Sequence, residues 1–154
     1  ESTLILDANG GSARIQKKAV LSGEVLGMLP NATRKGYEFT GWHTQAEGGT
    51  VVTQNSAMPD QEEMTIYAQW KPMQYKVTLD AVGGTVEAKE KEVTFDKVYG
   101  ELPVPKYEGY QFAGWYLDIE GKEKVTAETL VVTAKNHTLY AYYINANSGA
   151  GIDD

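Results

Sequence analysis

The sequence predicts an α+β protein that is mostly β, built from two tandem modules with little helix. The chain repeats itself at a shift of 73 residues, without a gap, and about a third of the paired positions are identical. A fixed period of this size marks a repeated folding unit. Within each copy, apolar and polar residues alternate over short segments, which is the period of a strand. Gly and Pro interrupt the segments between them, so no long helix fits there.

The repeat is clearest in a segment of seven residues that ends in tryptophan. Its two copies are Gly36-Tyr37-Glu38-Phe39-Thr40-Gly41-Trp42 and Gly109-Tyr110-Gln111-Phe112-Ala113-Gly114-Trp115. The shift predicts a first module over residues 1–72, a second over 73–144, and a polar tail or linker over 145–154. A module of about 70 residues buries only roughly 60% of its unfolded surface. Large aromatic residues are therefore expected to form much of each core.

The first strand of each module leads into a Gly-rich turn. Strands over 4–6 and 75–79 precede Asp-Ala-x-Gly-Gly, and the return strands are predicted over 13–20 and 85–95. In the second return strand, charges of alternating sign at 89–92 indicate an exposed or edge strand. After it, Gly and then Leu-Pro at 29–30 and 102–103 predict a connection that holds a single helical turn.

The next predicted strand covers 37–43 and 110–117. Gly41 and Gly114 interrupt this strand, which predicts a bulge that bends the sheet, and strict alternation assigns an aromatic residue to both of its faces. A short strand is expected near 51–53 and 124–126. The last strand, 65–70 and 138–143, is rich in β-branched and aromatic residues. Its end residues, Trp70 and Tyr143, are predicted to pack at the junction with a neighbouring module.

Composition excludes several classes of partner. The chain has 14 basic and 21 acidic side chains, a net charge of -7 and a pI near 4.9, so it repels nucleic acid and anionic lipid. It has no cysteine, hence neither disulfides nor thiolate metal sites. Without an apolar run of about 18 residues or a cationic leader, neither membrane insertion nor a signal peptide is predicted. Both ends look cut, which predicts an excerpt of a larger protein.

The ordered motifs resemble the internalin B-repeat family, also called the Listeria-Bacteroides repeat. They are Asp-Ala-Asn-Gly-Gly, Leu-Pro, Gly-Tyr-x-Phe-x-Gly-Trp, Gly-Gly, Met-Pro-Asp and a closing Thr-Ile-Tyr-Ala-Gln-Trp. The resemblance covers about residues 3–143. It implies a β-grasp-like fold, in which a mixed sheet wraps a short helical segment, on secreted or cell-wall-attached bacterial proteins. The family's role is that of a spacer and adhesion-assisting module, and no enzyme activity carries over.

The second copy departs from this pattern at turns and at the exit strand. It has Val82 for the turn Asn, Lys122 for a loop Gly, Val131-Val132 for Met-Pro and Tyr142-Tyr143 for Gln-Trp. These changes put local loop geometry in doubt more than the fold.

Trp42 and Trp115 are the candidate ligand-facing residues. Exposed aromatic rings could stack on the apolar faces of sugars, so the two rings, with Tyr37 and Tyr110, could form a glycan platform. The alternative is core packing. Because the rings recur at the same place in two small modules that need large core residues, core packing is favoured.

The other candidate sites are weaker. Asp7-Ala8-Asn9-Gly10-Gly11 resembles the start of a calcium loop, but no later Glu completes it and Val82 replaces the Asn in the second copy, so a turn is favoured. His43 and His137 lie at non-equivalent positions and have no obvious partner. Nothing places two acids, or a Ser, His and Asp, in one cleft. No catalytic residue, metal or cofactor is predicted.

The sequence therefore predicts a non-catalytic, extracellular repeat of a bacterial surface protein, which acts as a spacer and assists adhesion. Its expected partners are a host or matrix protein or glycan and adjacent repeats of the same chain. Residues 71–74 form a short link, which predicts an elongated, two-lobed particle. The main alternative is a carbohydrate-binding module accessory to a secreted glycan-acting enzyme. A third hypothesis is a module that binds proteins by strand addition at an exposed edge.

Overall fold

The structure is a computed structural model, and it describes residues 1–146. The chain divides into two compact units, Glu1–Pro72 and Met73–Asp154. Strand dominates the described secondary structure, which confirms a mostly β protein. Across residues 1–146, no helix has the length and apolar character needed to cross a membrane.

The first unit is built on a five-stranded mixed sheet and has seven strands. They are β1 (Ser2–Asp7), β2 (Ser12–Ala13), β3 (Lys17–Val20), β4 (Ala32–Thr33), β5 (Tyr37–His43), β6 (Val51–Val52) and β7 (Glu63–Pro72). The order in the sheet is β3-β1-β7-β5-β6. The first and last strands, β1 and β7, are parallel neighbours, in register from Thr3 opposite Glu63 to Asp7 opposite Tyr67. The other pairs in this sheet are antiparallel, and β2 pairs separately with β4.

The second unit repeats this sheet. Its strands are β8 (Gln74–Asp80), β9 (Glu90–Thr94), β10 (Tyr110–Tyr116), β11 (Lys124–Val125) and β12 (His137–Asn145). The order in the sheet is β11-β10-β12-β8-β9. The first and last strands, β8 and β12, are again parallel, from Val77 opposite His137 to Asp80 opposite Tyr140. β9 lies at the sheet edge, as its alternating charges predicted.

The predicted tail covers residues 145–154. Asn145 ends β12, and residues 147–154 lie outside the described residues.

Alternation along the central strands forms each core. In β1, Leu4 and Leu6 are buried while Ile5 between them is partly exposed, and Ile66 and Ala68 of β7 are buried on the same face. Met58 packs in this cluster, and Val131 is buried at the equivalent place in the second unit. Of the two residues that replace Met-Pro in the second copy, Val131 is thus in the core, whereas Val132 is exposed.

The predicted bulge is confirmed in both units. The register shifts between Phe39 and Gly41, and Gly41 has a φ of +134°, a backbone conformation that favours glycine. The bulge shifts the alternation, so Trp42 lies on the core side together with Phe39, with ring centroids 5.5 Å apart. The prediction that strict alternation assigns an aromatic to both faces was therefore wrong.

The return strands are shorter than predicted, and the helical turn is absent from residues 21–31. The connection that follows β3 is hydrogen-bonded to the segment that follows β6, instead of forming bonds within a helical turn. The N–H groups of Gly23, Leu26 and Gly27 donate to the carbonyls of Met58, Ser56 and Gln54. This facing segment therefore supplies the hydrogen-bond partners that hold the connection in an extended, non-helical course.

Candidate functional site

The structure places both candidate tryptophans in the core. Trp42 is 3% exposed and Trp115 is 2% exposed. Each indole N–H donates a 2.8 Å hydrogen bond to a proline carbonyl, that of Pro30 or Pro103. In this arrangement neither ring offers a face on which a sugar could stack.

Trp70 and Tyr143, which the sequence predicts to pack at the junction with a neighbouring module, each contact the first turn of their own unit. The Trp70 indole donates to the carbonyl of Ala8 at 3.0 Å, and the Tyr143 hydroxyl donates to the carbonyl of Ala81 at 2.6 Å. These contacts tie the end of the last strand to the end of the first. We call the residues where the first turn meets the last strand the latch. In the first unit these residues are Ala8, Asn9, Ala68 and Trp70, and the equivalent residues of the second unit are Ala81, Val82, Ala141 and Tyr143.

The latch has an additional polar contact in the first unit. The Asn9 side-chain amide donates to the carbonyls of Ala68, at 2.8 Å, and Ala46, at 3.0 Å. At the equivalent position, Val82 has no group that can do this. Asn9 and Val82 both have a left-handed backbone, with φ of +51° and +48°. Asn tolerates this region, whereas a β-branched residue there is an outlier, so the second turn carries backbone strain.

The Asp-containing turns are Asx turns. The Asp7 carboxylate accepts the N–H of Asn9 at 2.8 Å, and Asp80 accepts the N–H of Val82 at the same distance. In the part of the chain that the structure describes, no three His, Asp or Glu side chains group as metal ligands.

A loop carboxylate in the second unit is also held by backbone groups. Desolvation alone would raise the pKa of Asp118, but N–H groups of Lys122, Glu123 and Glu120, with the Lys122 charge, outweigh it and hold that pKa below its ordinary value. The contacts close the loop after β10.

The histidines have partners that the sequence did not reveal. His43 Nδ1 lies 2.9 Å from the carbonyl of Gly48. His137 Nδ1 faces the carbonyl of Lys135, which can only accept, so in the neutral ring Nδ1 donates and Nε2 accepts from the Tyr99 hydroxyl at 2.7 Å. The first unit has Leu26 and Met64 at these two positions. The Tyr99–His137 pair is therefore a polar replacement of an apolar pair.

Burial raises the pKa of the Tyr99 hydroxyl above its ordinary value of 10.0. The neutral form is favoured in the folded state, so its contribution to stability is complete below the unfolded pKa and is lost as pH rises through the folded pKa. We expect the free energy of unfolding of the second unit to fall above about pH 10. Urea unfolding of the Tyr99→Leu/His137→Met variant, which restores the first unit's pair, should show a flatter decline between pH 9 and 11. If the variant's free energy of unfolding declined with pH as steeply as that of the unmodified chain, Tyr99 would not be the cause of the decline.

The second unit also presents aromatic surface. Tyr107 and Tyr110 are stacked, with ring centroids 4.5 Å apart and planes at 16°, and Tyr143 lies 5.1 Å from Tyr107. Burial raises the pKa of Tyr143, and the neighbouring Tyr107 and Asp80 raise it further. The signal for this cluster was the unequal distribution of tyrosine, since eight of the ten lie after residue 73.

The described geometry is that of a tandem array of small β modules, each closed by its own first and last strands. Its repeat motifs match the Listeria-Bacteroides repeat domain twice, over residues 3–69 and 75–142. The chain belongs to this family.

Similar proteins place the repeat in a surface setting. The chain is 31% identical to Internalin H of Listeria monocytogenes serovar 1/2a over 152 residues, which is 99% of this chain and 26% of the relative. Two proteins of Evansella cellulosilytica, both named as membrane proteins, are 30% and 31% identical over 92% and 88% of the chain. The chain spans about a quarter or less of these relatives. Together they indicate a repeat module of a surface-associated bacterial protein.

Proposed function

We propose that this chain is a spacer that resists tension in a bacterial surface protein. The observation that carries the proposal is the parallel pairing of the first and last strands in both units. Force along the polypeptide enters a unit at the start of its first strand and leaves at the end of its last. Two parallel neighbours are then pulled past each other along their length. The ladder hydrogen bonds are loaded together instead of being opened one at a time.

The latch reinforces this arrangement at the point where the first strand ends. Indole or phenol contacts join the first turn to the last strand in both units, and the first unit adds the Asn9 amide. The parallel register also covers five residue pairs in the first unit and four in the second. The first unit should therefore rupture at the higher force.

Single-molecule pulling of the whole chain from its two ends tests the spacer function. We expect two rupture events, and that of the first unit, which has 72 residues, should release at most about 240–260 Å of extended chain. Asn9→Val should lower the higher rupture force, because each lost hydrogen bond costs about 0.5–1.5 kcal/mol. Val82→Asn, the matched reverse change, should raise the lower one.

The direction of force provides the control. Gln74 and Thr94 are opposite each other in the antiparallel pair of β8 and β9, so handles on these two residues peel that pair open. The chain has no cysteine, so Gln74→Cys/Thr94→Cys attaches handles at these sites alone. Rupture should need less force in this geometry than between the chain ends. Equal or greater force would refute shear of the terminal strands and, with it, the tension-resisting role.

The remaining parts of the proposal concern fold type and setting. The order of the sheet, with parallel central strands, supports a β-grasp-like assignment in which an irregular segment replaces the helix. We further propose that the protein is extracellular, is attached to the cell wall and assists adhesion. Family membership and the named relatives support the surface association on which this part of the proposal rests. The partners would be a host or matrix protein or glycan, together with adjacent repeats.

A further inference from the structure

Asn9 is the one asparagine of the sequence that is followed by glycine, and it lies in the first turn. An asparagine in this position is prone to lose its side-chain amide, because glycine has no Cβ to hinder attack by its own backbone nitrogen. In the folded first unit Asn9 is partly buried, whereas Gly10 is exposed. The second unit has Val82 and Gly83 at the equivalent positions, so this chemistry is available in the first turn of the first unit and not in that of the second.

The fold holds the group that would leave. Asn9 Nδ2 donates hydrogen bonds to the carbonyls of Ala68, at 2.8 Å, and Ala46, at 3.0 Å. The backbone N–H of Asn9 is also fixed, because it donates to the Asp7 carboxylate at 2.8 Å. Ala68 is 59 residues away along the chain, so its bond to Asn9 lasts only while the first turn lies against the last strand. Folding therefore protects the amide, and unfolding of the unit releases it.

We propose that Asn9 is a deamidation site that the latch protects and that unfolding of the first unit exposes. Once the amide is free, the Gly10 backbone nitrogen attacks Asn9 Cγ and forms a five-membered cyclic imide. The bond from Cγ to Nδ2 breaks, and Nδ2 leaves as ammonia with the proton of the Gly10 N–H. Water then opens the imide at either of its two carbonyls, which gives aspartate or isoaspartate without oxidation or reduction.

Neither product can restore the contact that Asn9 makes in the latch. A carboxylate has no N–H to donate to the carbonyls of Ala46 and Ala68, and it adds a negative charge near Asp7. Isoaspartate also lengthens the main chain of this turn by a methylene, where even a Cβ at Gly11 would lie 2.3 Å from the carbonyl oxygen of Thr33. A first unit that has been held unfolded therefore returns with lower stability.

The modification makes the first unit an irreversible record of its own unfolding. The inference rests on the proposed function only for the tension that would unfold the unit, since any other cause of unfolding exposes Asn9 equally.

Peptide mapping of the whole chain tests the proposal, because trypsin releases residues 1–14, in which Asn9 is the only asparagine. The chain is incubated in mildly alkaline buffer with and without guanidinium chloride, and aspartate and isoaspartate at position 9 are quantified by chromatography and mass spectrometry. We expect conversion to be at least about tenfold slower in the folded chain, because two hydrogen bonds must break before the amide is released. Val82→Asn should add a second site in the unfolded chain, within the tryptic fragment of residues 77–89.

Two core variants locate the protection without denaturant. Trp42→Ala removes a buried ring of the first unit and should speed the conversion of Asn9 in buffer, whereas Trp115→Ala acts on the second unit and should leave the conversion slow. After refolding, the converted chain should have a lower melting temperature than the untreated chain. Asn9→Val, which cannot lose an amide at this position, should recover its starting melting temperature after the same treatment.

Three results would overturn the proposal: equal conversion in the folded and unfolded chain, equal conversion in the two tryptophan variants, or an unchanged melting temperature once Asn9 is converted. The comparison of the tryptophan variants applies where amide spectra show that the intended unit has unfolded, and the comparison in guanidinium chloride decides otherwise. None of these measurements applies force. Failure of the modification site and failure of the spacer function are thus observed separately.

Discussion

Gly11→Ala is expected to destabilise the first unit by about 3 kcal/mol, the upper part of the range for overpacking. A Cβ at this position would lie 2.3 Å from the carbonyl oxygen of Thr33 and 2.5 Å from Cζ2 of Trp70. Neither neighbour can move cheaply, because Thr33 is paired within a strand and Trp70 is hydrogen-bonded in the latch. The substitution therefore pushes apart the elements that join the first and last strands.

The same change in the second unit should have the same consequence. A Cβ at Gly84 would lie 2.4 Å from the carbonyl oxygen of Lys106 and 2.6 Å from the Tyr143 hydroxyl oxygen. For a domain of this size, a loss of 3 kcal/mol lowers the melting temperature by about 12–24 °C. Calorimetry on each variant, with amide spectra to identify the unit that unfolds, measures the effect.

Gly23→Ala is the control that separates a steric clash from backbone strain. Gly23 has a φ of +84°, but nothing lies within 4 Å of the Cβ that alanine would add. Its substitution should cost about 1 kcal/mol through the left-handed backbone alone. If Gly11→Ala and Gly23→Ala lowered the free energy of unfolding by the same amount, the close approach of Trp70 would not be the reason that the first turn requires glycine at position 11.

Much of the fold could be predicted because strands leave local signals. Alternating charges at 89–92 predicted the edge position of β9, and Gly41 predicted the bulge. The effect of the bulge on side-chain direction was missed. The extra residue in β5 changes which face of the sheet the following side chains lie on, and strict alternation does not allow for it. Trp42 was therefore assigned to the face opposite Phe39, whereas both rings lie on the core side.

Contacts between distant parts of a unit were harder to predict, because no local pattern encodes them. Trp70 is 62 residues from its hydrogen-bond partner Ala8, and Tyr99 is 38 residues from His137. The missing helical turn has the same explanation, since its hydrogen bonds are supplied by a facing segment. For the stacked Tyr107 and Tyr110, besides the uneven distribution of tyrosine, the sequence held a second signal, which was a difference between the copies, Arg34 against Tyr107, rather than a shared motif.

Trp42→Ala and Trp115→Ala should each cost about 3–5 kcal/mol, the range for removal of a buried aromatic ring. Each change also leaves a proline carbonyl without its indole donor. Because small domains have total stabilities of about 5–15 kcal/mol, such a loss approaches complete unfolding of the affected unit. Urea unfolding followed by amide spectra measures both variants.

Two control variants are needed to interpret the stability loss of Trp42→Ala. Trp42→Phe keeps most of the volume and should lose mainly the bond to Pro30, so it should cost less than Trp42→Ala. Met28→Ala removes a side chain that is 80% exposed and should change stability by less than about 0.5 kcal/mol. If Trp42→Ala were as mild as Met28→Ala, the ring would have to lie on a surface in solution. The glycan platform of Trp42 and Trp115 would then be the first site to test.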